Sequence, residues 1–258
     1  MKKLRYISLF FLILIFIVFV LLNKETTRKV GINYNVIEYK IPVYLKVVDF
    51  FDRHYNYKYL VKKINNNQYN KKNIIINTTK WVNQNIQKIP LGVDVVDDHP
   101  LTIVQRRLGA QDQFNDILSV FLIYSDIDSF FIMSFDDIFH PLTLFKVNNY
   151  WSVLDPYYGI YFINEKETFA SIEDLKTTKW HIVNLDSQKI NSLNISDIYF
   201  EKFQNYEDVK NYYSKLFIDI QSSQQIDDIN IFNRGGRSYV QKPLSRLKFE
   251  IHKLFEKF

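Results

Sequence analysis

The residues best equipped for chemistry lie between Arg107 and Phe162. The run Arg107-Leu108-Gly109-Ala110-Gln111-Asp112-Gln113-Phe114 comes first, then His140, then Trp151-Ser152-Val153-Leu154-Asp155-Pro156. A histidine can take up and release a proton near neutral pH, and a carboxylate can fix its tautomer and orientation. His140 and Asp155 therefore read as a base with its orienting acid, or as a pair kept for packing. Asp112 and Gln113 read as cleft-lining groups, or as residues that complete the first turn of a helix, where an acid is favoured. Trp151 reads as core, or as a wall of the same binding surface.

These residues need elements to hold them. From Gln111 to Tyr124 the apolar residues Phe114, Ile117, Leu118, Phe121 and Leu122 recur at helical spacing, which predicts a helix starting at Gln111. The period then changes. Strands are predicted over Ser129–Met133, Leu142–Val147 and Tyr150–Leu154, with Asn148-Asn149 as the turn joining the last two. Extended chain is predicted for Gly159–Phe162, a short helix for 166–176, a strand for Trp180–Leu185 and a helix for Asn205–Ile218. Upstream, Pro42 opens a helical pattern that runs towards Ile64, an Asn- and Lys-rich break covers Asn65–Asn73, and a second amphipathic helix covers about Ile75–Ile89. Helices first and then an antiparallel sheet is an α+β layout.

The ordered pieces resemble the transglutaminase-like superfamily, which has a papain-type core. In that family a helix opens on a Gly-x-Cys-Asp-Gln type segment, a His follows on a strand, and a Trp and an Asp-Pro close the next strand. His140 precedes Trp151 by eleven positions and Asp155 by fifteen, as the family pattern has them. The resemblance covers about Thr79–Phe162 and implies acyl-transfer, peptidase or amidase chemistry. It places His140 and Asp155 in the base and orienting roles and Gln111 where the family has its nucleophilic cysteine.

That substitution matters chemically. A primary amide has no ionisation near neutral pH, and its nitrogen lone pair is delocalised into the carbonyl. The chain contains no cysteine, so no other thiol can stand in. Thioester chemistry is excluded for this chain. A pocket retaining Gln111, Asp112, Gln113 and Trp151 beside His140 and Asp155 would suit binding of a peptide, an amide or a sugar.

The expected reading is thus a non-catalytic binding or scaffold module on a degenerate transglutaminase-like domain. One alternative is a hydrolase in which His140 and Asp155 activate water. A second is a purely structural membrane partner. No cofactor is expected. Asp97, Asp98, His99 and His140 carry metal-ligating atoms, yet the Asp-Asp-His run reads as a capped turn and no metal is expected.

Tyr6–Leu22 is an uncharged apolar run that would span about 25 Å as a helix, near the lower limit for crossing a bilayer. Lys2, Lys3 and Arg5 would stay in the cytoplasm, leaving the body periplasmic or extracellular. No small-residue cleavage site follows Leu22, so the run reads as an anchor and not as a cleaved signal. Expected partners are the membrane and an envelope glycan, peptide or protein. The net charge is +5, with a basic tail from Arg234 to Lys257. That tail lacks the aromatic interleaving of a single-strand binder, and no nucleic acid is expected. The organisation expected is an anchor with its flanks at 1–29, a stalk and first helix at 30–69, the core at 70–185 and a helical basic extension at 186–258.

Overall fold

The computed structural model describes residues 2–32, 35–66, 68–90, 93, 99–134, 140–177, 179–189, 205–218 and 220–228. The apolar start forms helix α1 (Lys2–Asn23). Strands β1 (Glu25–Ile32) and β2 (Asn35–Pro42) pair antiparallel into a hairpin. The segment expected to be a stalk is therefore a two-stranded ribbon. Pro42, with φ fixed near the helical value, is the N-cap of α2 (Val43–Asn65). Asn70 caps α3 (Lys71–Asn85), its side chain accepting from the Lys72 and Asn73 amides. This helix starts and stops about four residues before the expected span. It stops because Ile86 turns extended and leads into β3 (Gln87–Lys88).

Helix α4 (Pro100–Arg106) was not expected from periodicity; His99 caps it and Pro100 occupies its first turn. The short strand β4 (Leu108–Gly109) runs parallel to β3. This fixes the entry to α5 (Gln111–Tyr124), which has the bounds the apolar spacing predicts. A five-stranded antiparallel meander follows, in the order of the chain: β5 (Ser129–Ser134), β6 (His140–Val147), β7 (Tyr150–Asp155), β8 (Ile160–Asn164) and β9 (Trp180–Asn184). Asn148 and Asn149 both take positive φ, 48° and 66°, as a type I′ hairpin turn requires. Helix α6 (Ile172–Leu175) is one turn long, shorter than expected. Helices α7 (Tyr206–Ile218) and α8 (Ser223–Asp228) complete the described chain.

The sheet separates two apolar cores, and strand parity decides which residue joins which. Phe145, Val147, Leu154, Tyr161, Ile163 and Val183 point towards α2, α3, α4 and α5. Their neighbours Leu142, Leu144, Trp151, Val153, Phe162 and Ile182 point towards α6, α7 and α8. Helix α5 contributes Phe114, Ile117, Leu118, Phe121 and Leu122 to the first core, all fully buried. Each such side chain contributes about 1.5–3 kcal/mol of transfer free energy. The fold is α+β, with helices packed on both faces of an antiparallel sheet. The packed body runs beyond 70–185 on both sides, since Tyr57 and Val61 of α2 belong to one core and Tyr213 and Phe217 of α7 to the other. Asp97, Asp98 and the basic tail lie outside the described residues.

Candidate functional site

Parity also aims the two chemical residues. His140 shares a strand face with Leu142 and Leu144, and Asp155 shares one with Trp151 and Val153. Both therefore face α7, at the end of the sheet where β6 begins and β7 stops. There His140 Nε2 lies 2.6 Å from Asp155 Oδ2. His140 is 2 % exposed and Asp155 fully buried. An acceptor-only carboxylate at this distance assigns the proton to Nε2 and leaves Nδ1 with its lone pair.

Asp155 is filled on every side. Its Oδ1 accepts from the backbone amides of Tyr157 and Tyr158 at 3.0 and 3.1 Å, and its Oδ2 accepts from the Tyr213 hydroxyl at 2.8 Å. The turn that supplies those amides is closed by the Gly159 amide, which donates to the Asp155 carbonyl. Gly159 sits at φ +70°, where a side chain would be strained. Asn83 of α3 donates to the Pro156 and Tyr157 carbonyls and holds the same turn from the other side.

Gln111 stands at the first position of α5, and its Nε2 is 3.0 Å from His140 Nδ1. This approach is built into the scaffold by Asn115. Its amide donates to the Gln111 and Pro141 carbonyls, and its Oδ1 accepts from Thr143, so one buried side chain ties the helix start to β6. The Tyr212 hydroxyl also reaches His140 Nδ1, at 2.9 Å. Burial, then Tyr158 and Asp155, push that hydroxyl well above the ordinary phenol range. It remains a neutral phenol at any physiological pH. Two groups thus converge on one lone pair.

The ring walls are aromatic. Tyr158 stacks on His140 with 7° between planes, while Tyr212 and Tyr213 meet it edge-on. Burial, with Asp155 and Tyr157 adding to it, pushes the Tyr158 hydroxyl up to about 12. Lys88, although exposed as a residue, sets its ammonium over the Tyr157 and Tyr158 rings, 4.4 and 5.0 Å from their centroids. Partial desolvation there lowers its proton affinity, and Asp155 opposes that shift.

The sequence-predicted residues divide. Gln111, His140 and Asp155 meet in one chain of contacts. Asp112 is half-buried in the first turn of α5. Gln113 is not a cleft residue: its Oε1 accepts from the Ala110 amide and from Arg106, so it caps the helix from within the body. Trp151 takes the first of its two readings and is core. It is fully buried against Phe130, and its Nε1 donates to Asp227 of α8. Tyr212, Tyr213, Asn115, Thr143 and Lys88 were not anticipated. His99 caps α4 through Nδ1. Among the described residues no group of three or more His, Asp or Glu side chains could hold a metal ion.

Neither a protein-family model nor a curated protein sequence matches the chain. Two solved structures overlap part of it. One is a candidate protease from Parabacteroides distasonis, with TM-score 0.34, 12% identity, and 64% of this chain against 40% of that one. The other is a candidate cysteine protease from Cytophaga hutchinsonii, with TM-score 0.36, 14% identity, and 57% against 53%. The matched region is thus about half the length of either.

Proposed function

We propose that this chain is a membrane-tethered, transglutaminase-like module with a papain-type core, and that its cleft binds without reacting. The carrying observation is the 3.0 Å approach of the Gln111 amide to His140 Nδ1, in a chain without a single cysteine. The carboxamide takes the place of a nucleophile and satisfies the imidazole by a hydrogen bond instead. Hydrolysis by His140 through water would need an open Nδ1. That nitrogen has two protein partners and the ring is nearly inaccessible, which supports binding over hydrolysis. Helix α1 is long and apolar enough to cross a membrane. With Lys2, Lys3 and Arg5 retained in the cytoplasm, the body would work outside it, on an envelope glycan, a peptide or a protein partner.

The test is Gln111→Cys in the full chain, with alkylation rate followed against pH. The introduced thiol is the only one present. Beside His140 and at a helix N-terminus it should titrate well below the free value of about 8.5. A thiol that titrates at or above that value would sink the reading, since position 111 would then lack the electrostatics of a former nucleophile site.

A further inference from the structure

Helix α2 begins where α1 ends. The Val43 amide donates to the Lys24 carbonyl at 2.9 Å, Glu25 pairs with Pro42 across the hairpin, and the Lys46 ammonium donates to the Thr27 carbonyl. The hairpin is thus an excursion, and residue 43 stands one hydrogen bond from the end of the apolar helix. The side chains of α1 from Tyr6 to Leu21 are exposed, as a lipid-facing helix requires.

The first turns of α2 continue that exposure. Tyr44, Leu45, Val47 and Val48 are all exposed, and at helical spacing they cover a broad face of the helix, about 160° wide. Farther along, the exposed set narrows to Phe51, Tyr55 and Tyr59, at spacings of three and four from Val48 onward. The opposite face carries Tyr57 and Val61 into the core. A broad apolar face next to a span, narrowing to a stripe with tyrosines, matches the bilayer interface, where amphipathic rings sit at headgroup level. Lys46, Lys58, Lys62 and Lys63 outnumber Asp49 and Asp52 on the same helix, which favours an anionic lipid surface.

We infer that α2 is a second membrane-contacting element, its Tyr44–Tyr59 face seated in the headgroup layer of the bilayer that holds α1. This rests on α1 being a span. The body would then be held against the surface instead of swinging on a tether.

The absence of cysteine makes the test direct. Single variants Val48→Cys, Phe51→Cys, Phe16→Cys and Lys176→Cys of the full chain are labelled with an environment-sensitive fluorophore. Each is reconstituted into phosphatidylcholine–phosphatidylglycerol vesicles carrying nitroxide-labelled lipid. The labels at 48 and 51 should lose emission to headgroup-level nitroxides, that at 16 to deep nitroxides, and that at 176 to neither. Labels at 48 and 51 that behave like 176 while 16 is quenched overturn the inference and leave the span standing. Loss of quenching at 16 overturns the span itself. Labels at 48 and 51 shielded from both water and lipid, with dipolar coupling between spin-labelled copies, overturn the inference in favour of a second copy on that face.

Discussion

Tyr213 donates its hydroxyl to the same Asp155 oxygen that receives His140 Nε2, at 2.8 Å against 2.6 Å. The residue that orients the imidazole is therefore held by α7, an element outside the β6–β7 hairpin that carries the pair. Neighbouring Tyr212 touches the imidazole at its other nitrogen. One helical dipeptide thus grips both ends of the pair.

Tyr213→Phe should destabilise the fold by about 1.5–3 kcal/mol, the range for losing a hydrogen bond to a charged group in a buried site. The ring stays and continues to pack on Phe162 and Phe217, so the loss isolates the hydroxyl. Urea unfolding checks it: the midpoint should fall with the slope unchanged. An unchanged midpoint would mean that the contact contributes nothing.

Asp155→Asn should reverse the tautomer of His140. The Tyr157 and Tyr158 amides require an acceptor at the Oδ1 position, which places the new NH2 against His140 Nε2. The imidazole can then accept at Nε2 only by moving its proton to Nδ1, where the Tyr212 oxygen can receive it. Nitrogen-15 spectra of histidine-labelled protein distinguish the two tautomers directly. An Nε2–H signal in the variant would contradict the arrangement.

Alkaline pH should unfold the chain from above pH 10. Tyr158 is pushed up to about 12 in the folded state, and Tyr212 is pushed up as well, whereas unfolded tyrosine titrates near 10. The unfolded chain then loses its protons first, so stability is complete below about pH 10 and falls as pH rises towards 12. Denaturation midpoints taken across that window, with tyrosinate absorbance alongside, test the sign. Tyr158→Phe should make the decline shallower.

Gly109→Ala should cost about 1–3 kcal/mol by overpacking. An added Cβ would stand 3.0 Å from Ile86 Cγ2 and 3.2 Å from Ile103 Cγ2, both on buried core residues. Gly109 lies two residues before Gln111, so the strain should also move the α5 start and lengthen the Gln111–His140 contact. Thermal unfolding and the His140 imidazole shifts measure the two effects separately.

Helix α5 was legible because its large apolar residues recur at helical spacing, and the β6–β7 hairpin because two short β-forming runs flank paired asparagines, although both faces of these strands and nearly all of α5 are buried. His140 and Asp155 were picked out by their spacing from each other and from Trp151, and the hairpin brings them within 2.6 Å. Gln113 and Trp151 each kept two readings because nearness in sequence to a site residue does not say where a side chain reaches. Gln113 turns back to its own helix cap, and Trp151 sits towards the far end of β7 from Asp155. Tyr212 and Tyr213 gave no signal, because in a helix rich in Tyr and Phe a core ring and a site hydroxyl look the same. The β1–β2 ribbon was hidden because β1 is mostly polar and shows no alternation, although β2 alternates over Ile37–Ile41.

The separations along the chain set an order of assembly. His140 and Asp155 are fifteen residues apart on one hairpin, and Gln111 lies 29 residues before His140, whereas Tyr212 reaches His140 across 72 and Tyr213 reaches Asp155 across 58. Contacts of short separation close first and those of long separation last. A growing chain that has emerged as far as Asn184 already owns the whole meander and its polar pair, but neither tyrosine. Until α7 arrives, the imidazole and carboxylate lie on a sheet face that α7 has yet to cover. Completion of the site is thus delayed to a late stage of synthesis, which makes the α7 segment the natural point at which a chaperone, a mutation or an early stop would leave the protein folded in outline and open at its centre.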